Sequence, residues 1–312
     1  MEKLKSKILF VPFYIQCPQH RTAASARIRA EWPAKYLGAE VADEGTDLRQ
    51  YDLIIFQKCF NQKFQEVSRF LKNNNRGIKL AFDLCDAEWI NREEELKIMI
   101  DLMDFVVTST NKIKKWVQSN FPNKICYKIP DGHDLEYYQE FMDGCRQPLN
   151  YEKTPINYIW YGNSGTIKSL KAILPTLERI TGKGDTLTVI ADERARGQVE
   201  SQKIGVKFVP WTLETVNDEV RKGNIVINPR MDTKEYAVKS NNKTVMAYIL
   251  GRPCIDRLVT DEKGWMADLM KLRMPQFRID DVNQKRPEFI AKYSMETIAE
   301  LWKKTLAKEL EK

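Results

Sequence analysis

The stretch KSNNKTVMAYILGRPCI, Lys239 to Ile255, places Lys239, Ser240, Asn241, Asn242 and Lys243 directly before an apolar, helix-like run that ends at Gly251. The first turn of a helix carries unsatisfied N–H groups and a partial positive charge, so lysines there oppose the dipole. Two readings stand. One is a solvated turn with Ser240 or Asn241 as N-cap. The other is a cradle in which helix amides and lysines hold a phosphate. Further polar groups follow other apolar runs: Gln16 to Arg29, Asp83 to Glu88, Asp131 to Asp134, Gly162 to Thr166, Trp211 and Arg230. Together they collect cations, carboxylates and glycines. His20 and His133 are the only histidines and would titrate near neutral pH.

The elements that must position these residues alternate along the whole chain. KILFVPFYI, YDLIIFQKC, IKLAFDLCD, DFVVTST and CYKIPDG read as strands, with helical patterns at Ser25 to Leu37, Gln62 to Lys72, Glu93 to Met103 and Asn111 to Asn120 between them. After a polar, turn-rich passage the rhythm restarts with INYIWYGNSG, a helix over Thr166 to Ile180, TLTVIAD, VKFVPW, NIVINPR, the helix after Lys239, and PCID. This predicts two α/β domains, each a doubly wound parallel sheet. The expected division is 1–145, 146–290, and a closing helix over 291–312, with the hinge at about residues 135 to 155. In such sheets ligands bind beyond the carboxyl ends of the strands, where the polar groups above fall.

The 312 residues exceed one ordinary core, and 43% apolar with 30% charged content describes a soluble globular protein. A net charge of +7 favours an anionic partner, although no block of like charges stands out. Six cysteines, Cys17, Cys59, Cys85, Cys126, Cys145 and Cys254, show no Cys-x-x-Cys spacing and read as free thiols of a cytoplasmic protein. The lysine-led apolar N-terminus imitates a signal peptide, but Pro12 interrupts it and a first core strand is expected instead. No apolar run approaches ~18 residues, so no transmembrane segment is expected, while peripheral membrane contact stays open.

The order and spacing of these motifs resemble a GT-B glycosyltransferase of the "glycosyl transferases group 1" type. IWYGNSGTIKSLKAILPTLERI is similar to that family's opening strand, glycine turn and helix of the donor domain. FVPWTLETVNDEVRKGNIVINPR is similar to its nucleobase-side segment, and KSNNKTVMAYILGRPCI to its diphosphate-binding helix with the closing Gly-x-Pro. KIPDGHD resembles the pattern that closes the first domain, with weaker echoes in SARIRAEWPAKYL and FDLCDAEW. The similarity spans roughly residues 1 to 290 and is most specific over 156 to 256.

The resemblance implies two Rossmann-like domains facing a central cleft, a nucleotide-sugar donor and transfer of its sugar to an acceptor, with retention. The acceptor could be a glycan, a lipid-linked intermediate, a protein or a modified nucleic-acid base. On the donor side it points to Gly162, Asn163, Ser164, Trp211, Arg230, Lys239, Ser240, Asn241, Asn242 and Lys243, with Trp211 stacking the base. His20, Arg27 and Arg29 are expected on the acceptor or phosphate side. No Asp-x-Asp element is present, so fixed cations rather than a metal are expected to hold the leaving diphosphate, and no cofactor is implied. Asp83 and Asp86 are candidates for receiving the acceptor proton or holding the donor sugar; alternatively one N-caps the helix near Ala87. The family's Glu-x7-Glu pair falls on Tyr236 and Thr244, which leaves hexose and ribose recognition open. A nucleotide-sugar epimerase and a non-catalytic nucleotide- or nucleic-acid-binding module are the competing functions.

Overall fold

The β-branched runs form strands that are largely buried on both faces in the sheet interiors, as parallel sheets covered by helices require, while the edge strands are partly exposed. In the computed structural model, which describes residues 6–74, 77–142, 151 and 154–311, the chain divides into two units. The first comprises Met1–Leu135, Ala237–Ser240 and Lys292–Lys312. Its sheet holds β1 (Ile8–Val11), β2 (Glu40–Val41), β3 (Leu53–Gln57), β4 (Lys79–Leu84), β5 (Phe105–Thr108) and β6 (Ile125–Lys128). All pairings are parallel, in the order β2-β1-β3-β4-β5-β6. Its helices include α1 (Ala24–Ala26), α2 (Trp32–Leu37), α3 (Gln62–Asn74), α4 (Trp89–Leu102) and α5 (Asn111–Asn120). A π-helical turn, Arg27–Glu31, joins α1 to α2 and rotates the side chains that follow it.

The second unit comprises Glu136–Tyr236 and Asn241–Ala291. Its strands are β7 (Asn157–Tyr161), β8 (Thr186–Ala191), β9 (Gly205–Pro210), β10 (Ile225–Arg230) and β11 (Cys254–Leu258), parallel in the order β11-β10-β7-β8-β9. Helices α6 (Gln139–Met142), α7 (Ile167–Ile180), α8 (Val216–Lys222), α9 (Lys234–Ala237), α10 (Asn242–Ile249), α11 (Glu262–Leu272) and α12 (Pro275–Tyr293) follow in turn. The last helix, α13 (Met295–Leu310), belongs to the first unit. Its Trp302 is fully buried and meets Phe10 of β1 edge-on, with ring centroids 5.6 Å apart.

Both sheets reverse strand order once, between β1 and β3 in the first and between β7 and β10 in the second. At such switch points the connections leave in opposite directions and open a crevice at the strand carboxyl ends. Cys59, Cys85, Cys126 and Cys254 are buried free thiols and Cys17 is half-buried; Cys145 lies outside the described residues. No helix among the described residues is long and apolar enough to cross a membrane.

Candidate functional site

In the second unit Gly162, Asn163, Ser164, Arg230, Asn241, Asn242 and Lys243 lie at the ends of β7 and β10 and the start of α10, around the switch point, whereas Trp211 follows the edge strand β9. Gly162 follows β7, and its N–H donates to the Ile190 carbonyl (3.0 Å), extending the ladder. A Cβ at Gly162 would lie 2.7 Å from the Trp160 ring and 2.8 Å from the Thr166 hydroxyl. Packing therefore requires the glycine. Asn163 closes the turn: its side chain accepts from the Thr166 N–H (3.1 Å), while its own N–H donates to the Thr166 hydroxyl (3.2 Å). The Ser164 N–H donates to Asp192 (2.6 Å), a carboxylate with no part in the sequence expectation.

Helix α10 starts at Asn242, with Asn241 as N-cap and no side-chain cap hydrogen bond. Lys243 thus stands in the first turn. Its Nζ donates to the Tyr161 carbonyl (2.7 Å) and the Tyr161 hydroxyl donates back to the Lys243 carbonyl (2.6 Å). This reciprocal pair fixes the helix start to the carboxyl end of β7. Arg230, at the end of β10, makes a two-pronged ion pair with Asp256 of β11. The same carboxylate accepts from Thr244 and, at 3.2 Å, from Asn228. Tyr236 points its hydroxyl at the Thr166 carbonyl (3.4 Å). The two positions expected to carry glutamates therefore present hydroxyls, and the nearby carboxylate comes from Asp256. Trp211 is half-buried after β9, its N–H donating to Ala191 (2.8 Å).

Lys239 and Ser240 are placed differently from the expectation. Both precede the helix and belong to the first unit. Ser240 is not the N-cap; its hydroxyl donates to Asp131 (2.6 Å). Lys239 pairs with Asp86, which Lys58 also holds at 2.7 Å while reaching Glu88 at 2.7 Å. Burial works to raise the Asp86 carboxyl, but the two lysines outweigh it and hold the group down to about 2. So firmly ionised an aspartate is a weak proton acceptor. It is also no cap, because Glu88 stands at the N-cap of α4.

Arg29 and Asp83 correct the expectation further. The guanidinium is 1% exposed and the carboxylate 0%. They form a bidentate pair, and Arg29 also donates to the carbonyls of Ile129 (2.7 Å) and Pro130 (3.0 Å). Burial works against the Arg29 charge, yet the Asp83 charge outweighs it and the guanidinium holds its proton more firmly than usual. With its donors taken up, Arg29 ties the β4 end to the β6 exit instead of facing a phosphate. Asp83, sealed beneath it, cannot take a proton from an acceptor. Arg27 is half-buried and donates to the Thr22 carbonyl (2.6 Å). His20 is exposed and its ring stacks on Phe13, centroids 5.7 Å apart. His133 is fully buried, and desolvation lowers its imidazole to about 3.

Lys58 is the residue that sequence reasoning missed. It follows β3 at the first unit's switch point in a left-handed conformation, φ 57°, the one non-glycine residue with positive φ among those described. Such backbone strain costs of order 1–3 kcal/mol and clusters at functional sites. The available signal was a lysine closing the apolar run YDLIIFQK.

No protein-family model matches the chain, and no curated protein matches it in sequence. Solved structures do match. HepE of Anabaena in complex with UDP and glucose superposes with TM-score 0.64 at 13% identity, covering 97% of this chain and 100% of that one. An α-glucosyltransferase in complex with UDP and a 13-mer DNA containing a HMU base gives TM-score 0.68 at 8% identity, over 98% and 99%. Sucrose-phosphate synthase from Thermosynechococcus elongatus gives 0.61 at 15% identity, over 83% and 74%. At these identities the likeness is one of architecture, and the paired parallel-sheet units of this chain have the GT-B fold of those glycosyltransferases.

Proposed function

We propose that the chain is a glycosyltransferase that takes a sugar from a nucleoside diphosphate donor, without a metal and with retention at the anomeric carbon. The observation that carries this is the Tyr161–Lys243 clasp. It sets an uncapped helix start and a lysine beside the Gly162 turn, at the switch point of a sheet whose fold is shared with UDP-bound glycosyltransferases. Amides and a cation fixed there stabilise the charge that gathers on a departing diphosphate, and they do so more strongly in the transition state than in the bound donor. The cationic character of this set, with no Asp-x-Asp element in the sequence, supports the metal-free reading. Retention rests on the resemblance to the group 1 family. Glycans, lipid-linked intermediates, proteins and modified nucleic-acid bases all offer a hydroxyl to such chemistry, and the surface of the first unit favours one of them.

Calorimetric titration with UDP and uridine, with and without EDTA, tests the reading. UDP should bind in EDTA and more tightly than uridine. Equal affinity for the two would remove the diphosphate cradle; UDP binding lost in EDTA and restored by Mn²⁺ would overturn metal independence.

A further inference from the structure

Between Asp104 and Asp131 the chain runs 26 residues without an acidic side chain and with five lysines, in a protein that otherwise carries 43 acidic residues in 312. Folding adds to this asymmetry. Helix α5 contributes Lys112, Lys114 and Lys115, all in its first turn and a half, with no acidic residue to complement the helix dipole. Strand β6, at the edge of the sheet, contributes Lys128, which is exposed. Helix α13 adds Lys304 and Lys308 one turn apart.

These elements adjoin. Helix α5 packs directly on β6, and the Cys126 thiol beneath it is pushed up to about 11 by burial, with the Lys114 charge pulling against it. Lys128 shares the face of Cys126, two residues on. On the other face Lys308 lies 5.6 Å from the Tyr127 ring centroid. None of the six lysines has an ion-pair partner among the described residues, and Glu309 beside them is buried against the Tyr127 hydroxyl.

We propose that this edge of the first unit, with the helices on either side of it, binds the phosphate backbone of a nucleic acid. Six unpaired lysines along one sheet edge form a sequence-independent electrostatic footprint of the kind that tracks a phosphate chain. Insertion into a bilayer would need apolar side chains turned outward. Here Ile113 and Val117 of α5 are buried in the core and Trp116 stacks on Trp89 with centroids 4.4 Å apart, while Ile125 of β6 and Leu301 of α13 are isolated partly exposed side chains among the lysines, not a continuous apolar face. The inference rests on the glycosyl-transfer reading only for what happens to the bound strand, where the modified base would be the acceptor.

Fluorescence anisotropy with a labelled 20-base-pair duplex, at 50 and 200 mM NaCl, tests it on the full chain. Binding should weaken by about 10³-fold between the two salts, as expected for some five or six phosphate contacts. The double variant Lys115→Glu/Lys308→Glu should bind at least tenfold more weakly with a shallower salt dependence. Lys171→Glu/Lys207→Glu, at exposed positions of the second unit, should bind as wild type does. Unaltered thermal unfolding shows that the first pair is folded. Equal duplex affinity in wild type and Lys115→Glu/Lys308→Glu would overturn the proposal. So would failure to bind the duplex alongside capture by phosphatidylserine vesicles. Titration of the same samples with UDP, ADP and GDP separates the two readings: duplex binding without binding of any of these diphosphates would leave this surface standing and remove the glycosyl-transfer reading.

Discussion

Tyr161 and Lys243 hold each other twice, through the lysine Nζ on the tyrosine carbonyl at 2.7 Å and the tyrosine hydroxyl on the lysine carbonyl at 2.6 Å. Residues 82 positions apart thereby share one geometry. The consequence is that Lys243 has its side-chain conformation fixed before any ligand arrives, so less entropy is lost on binding.

Lys243 and Lys239 should accordingly behave differently. Lys243→Ala should weaken UDP binding by about 1.5 to 3 kcal/mol, the range for hydrogen bonds to charged groups, and uridine binding by much less. It should also cost the free protein roughly 1 kcal/mol through the lost Tyr161 contact. Lys239→Ala, which removes a half-exposed partner of Asp86, should change either quantity by less than about 1 kcal/mol. Calorimetry and urea unfolding on the two variants check this.

The Arg29–Asp83 pair should dominate the stability of the first unit. Arg29→Met leaves a buried carboxylate alone and should destabilise by about 3–5 kcal/mol. Combining it with Asp83→Leu should recover most of that loss, because no buried charge is left. A double variant as unstable as the single one would show that the ion pair does more than satisfy itself. Urea midpoints provide the comparison.

Acid should find His133. Its folded value of about 3 lies below the ordinary 6.5, so the unfolded chain takes up the proton first. The associated stability is complete above pH 6.5 and is lost progressively as pH falls toward 3, amounting to about 2 kcal/mol by pH 5. In His133→Gln the slope of stability between pH 6.5 and 5 should flatten by this amount, measured by urea unfolding across the range.

Gly162→Ala should destabilise by about 1–3 kcal/mol, since the added methyl meets the Trp160 ring and the Thr166 hydroxyl well inside contact distance. Thermal unfolding reads the change directly. A variant as stable as wild type would mean that Trp160 can turn aside.

Much of this architecture was legible in the residue order. Each of the ten quoted apolar runs became a strand; for the interior strands continuous burial on both faces leaves a β-branched pattern, while the partly exposed edge strands β6 and β9 followed the same alternation of elements. The two-residue β2 carried too little pattern to be read, and α12 buries only Arg278 and Val282, so a mostly polar helix left no apolar stripe. The strand-end rule pointed to Gly162, Arg230 and Lys243, and the structure places all three around one switch point of the second sheet. Partnerships were the illegible part. That Arg29 would spend its charge on Asp83, 54 residues away, or Arg230 on Asp256, depends on register and on a π-helical turn that the alternation of residue types does not encode.

The placement of β6 at the edge of its sheet has a bearing on solution behaviour. An edge strand offers unpaired amides and carbonyls to any passing chain, and Ile125 already turns a partly exposed apolar side chain outward there. Lysines on and around such an edge repel a second copy before its strand can align. These cations oppose the approach of a second, like-charged edge, and exchanging Lys128 for an apolar β-branched residue should raise the tendency of this strand to pair with another copy.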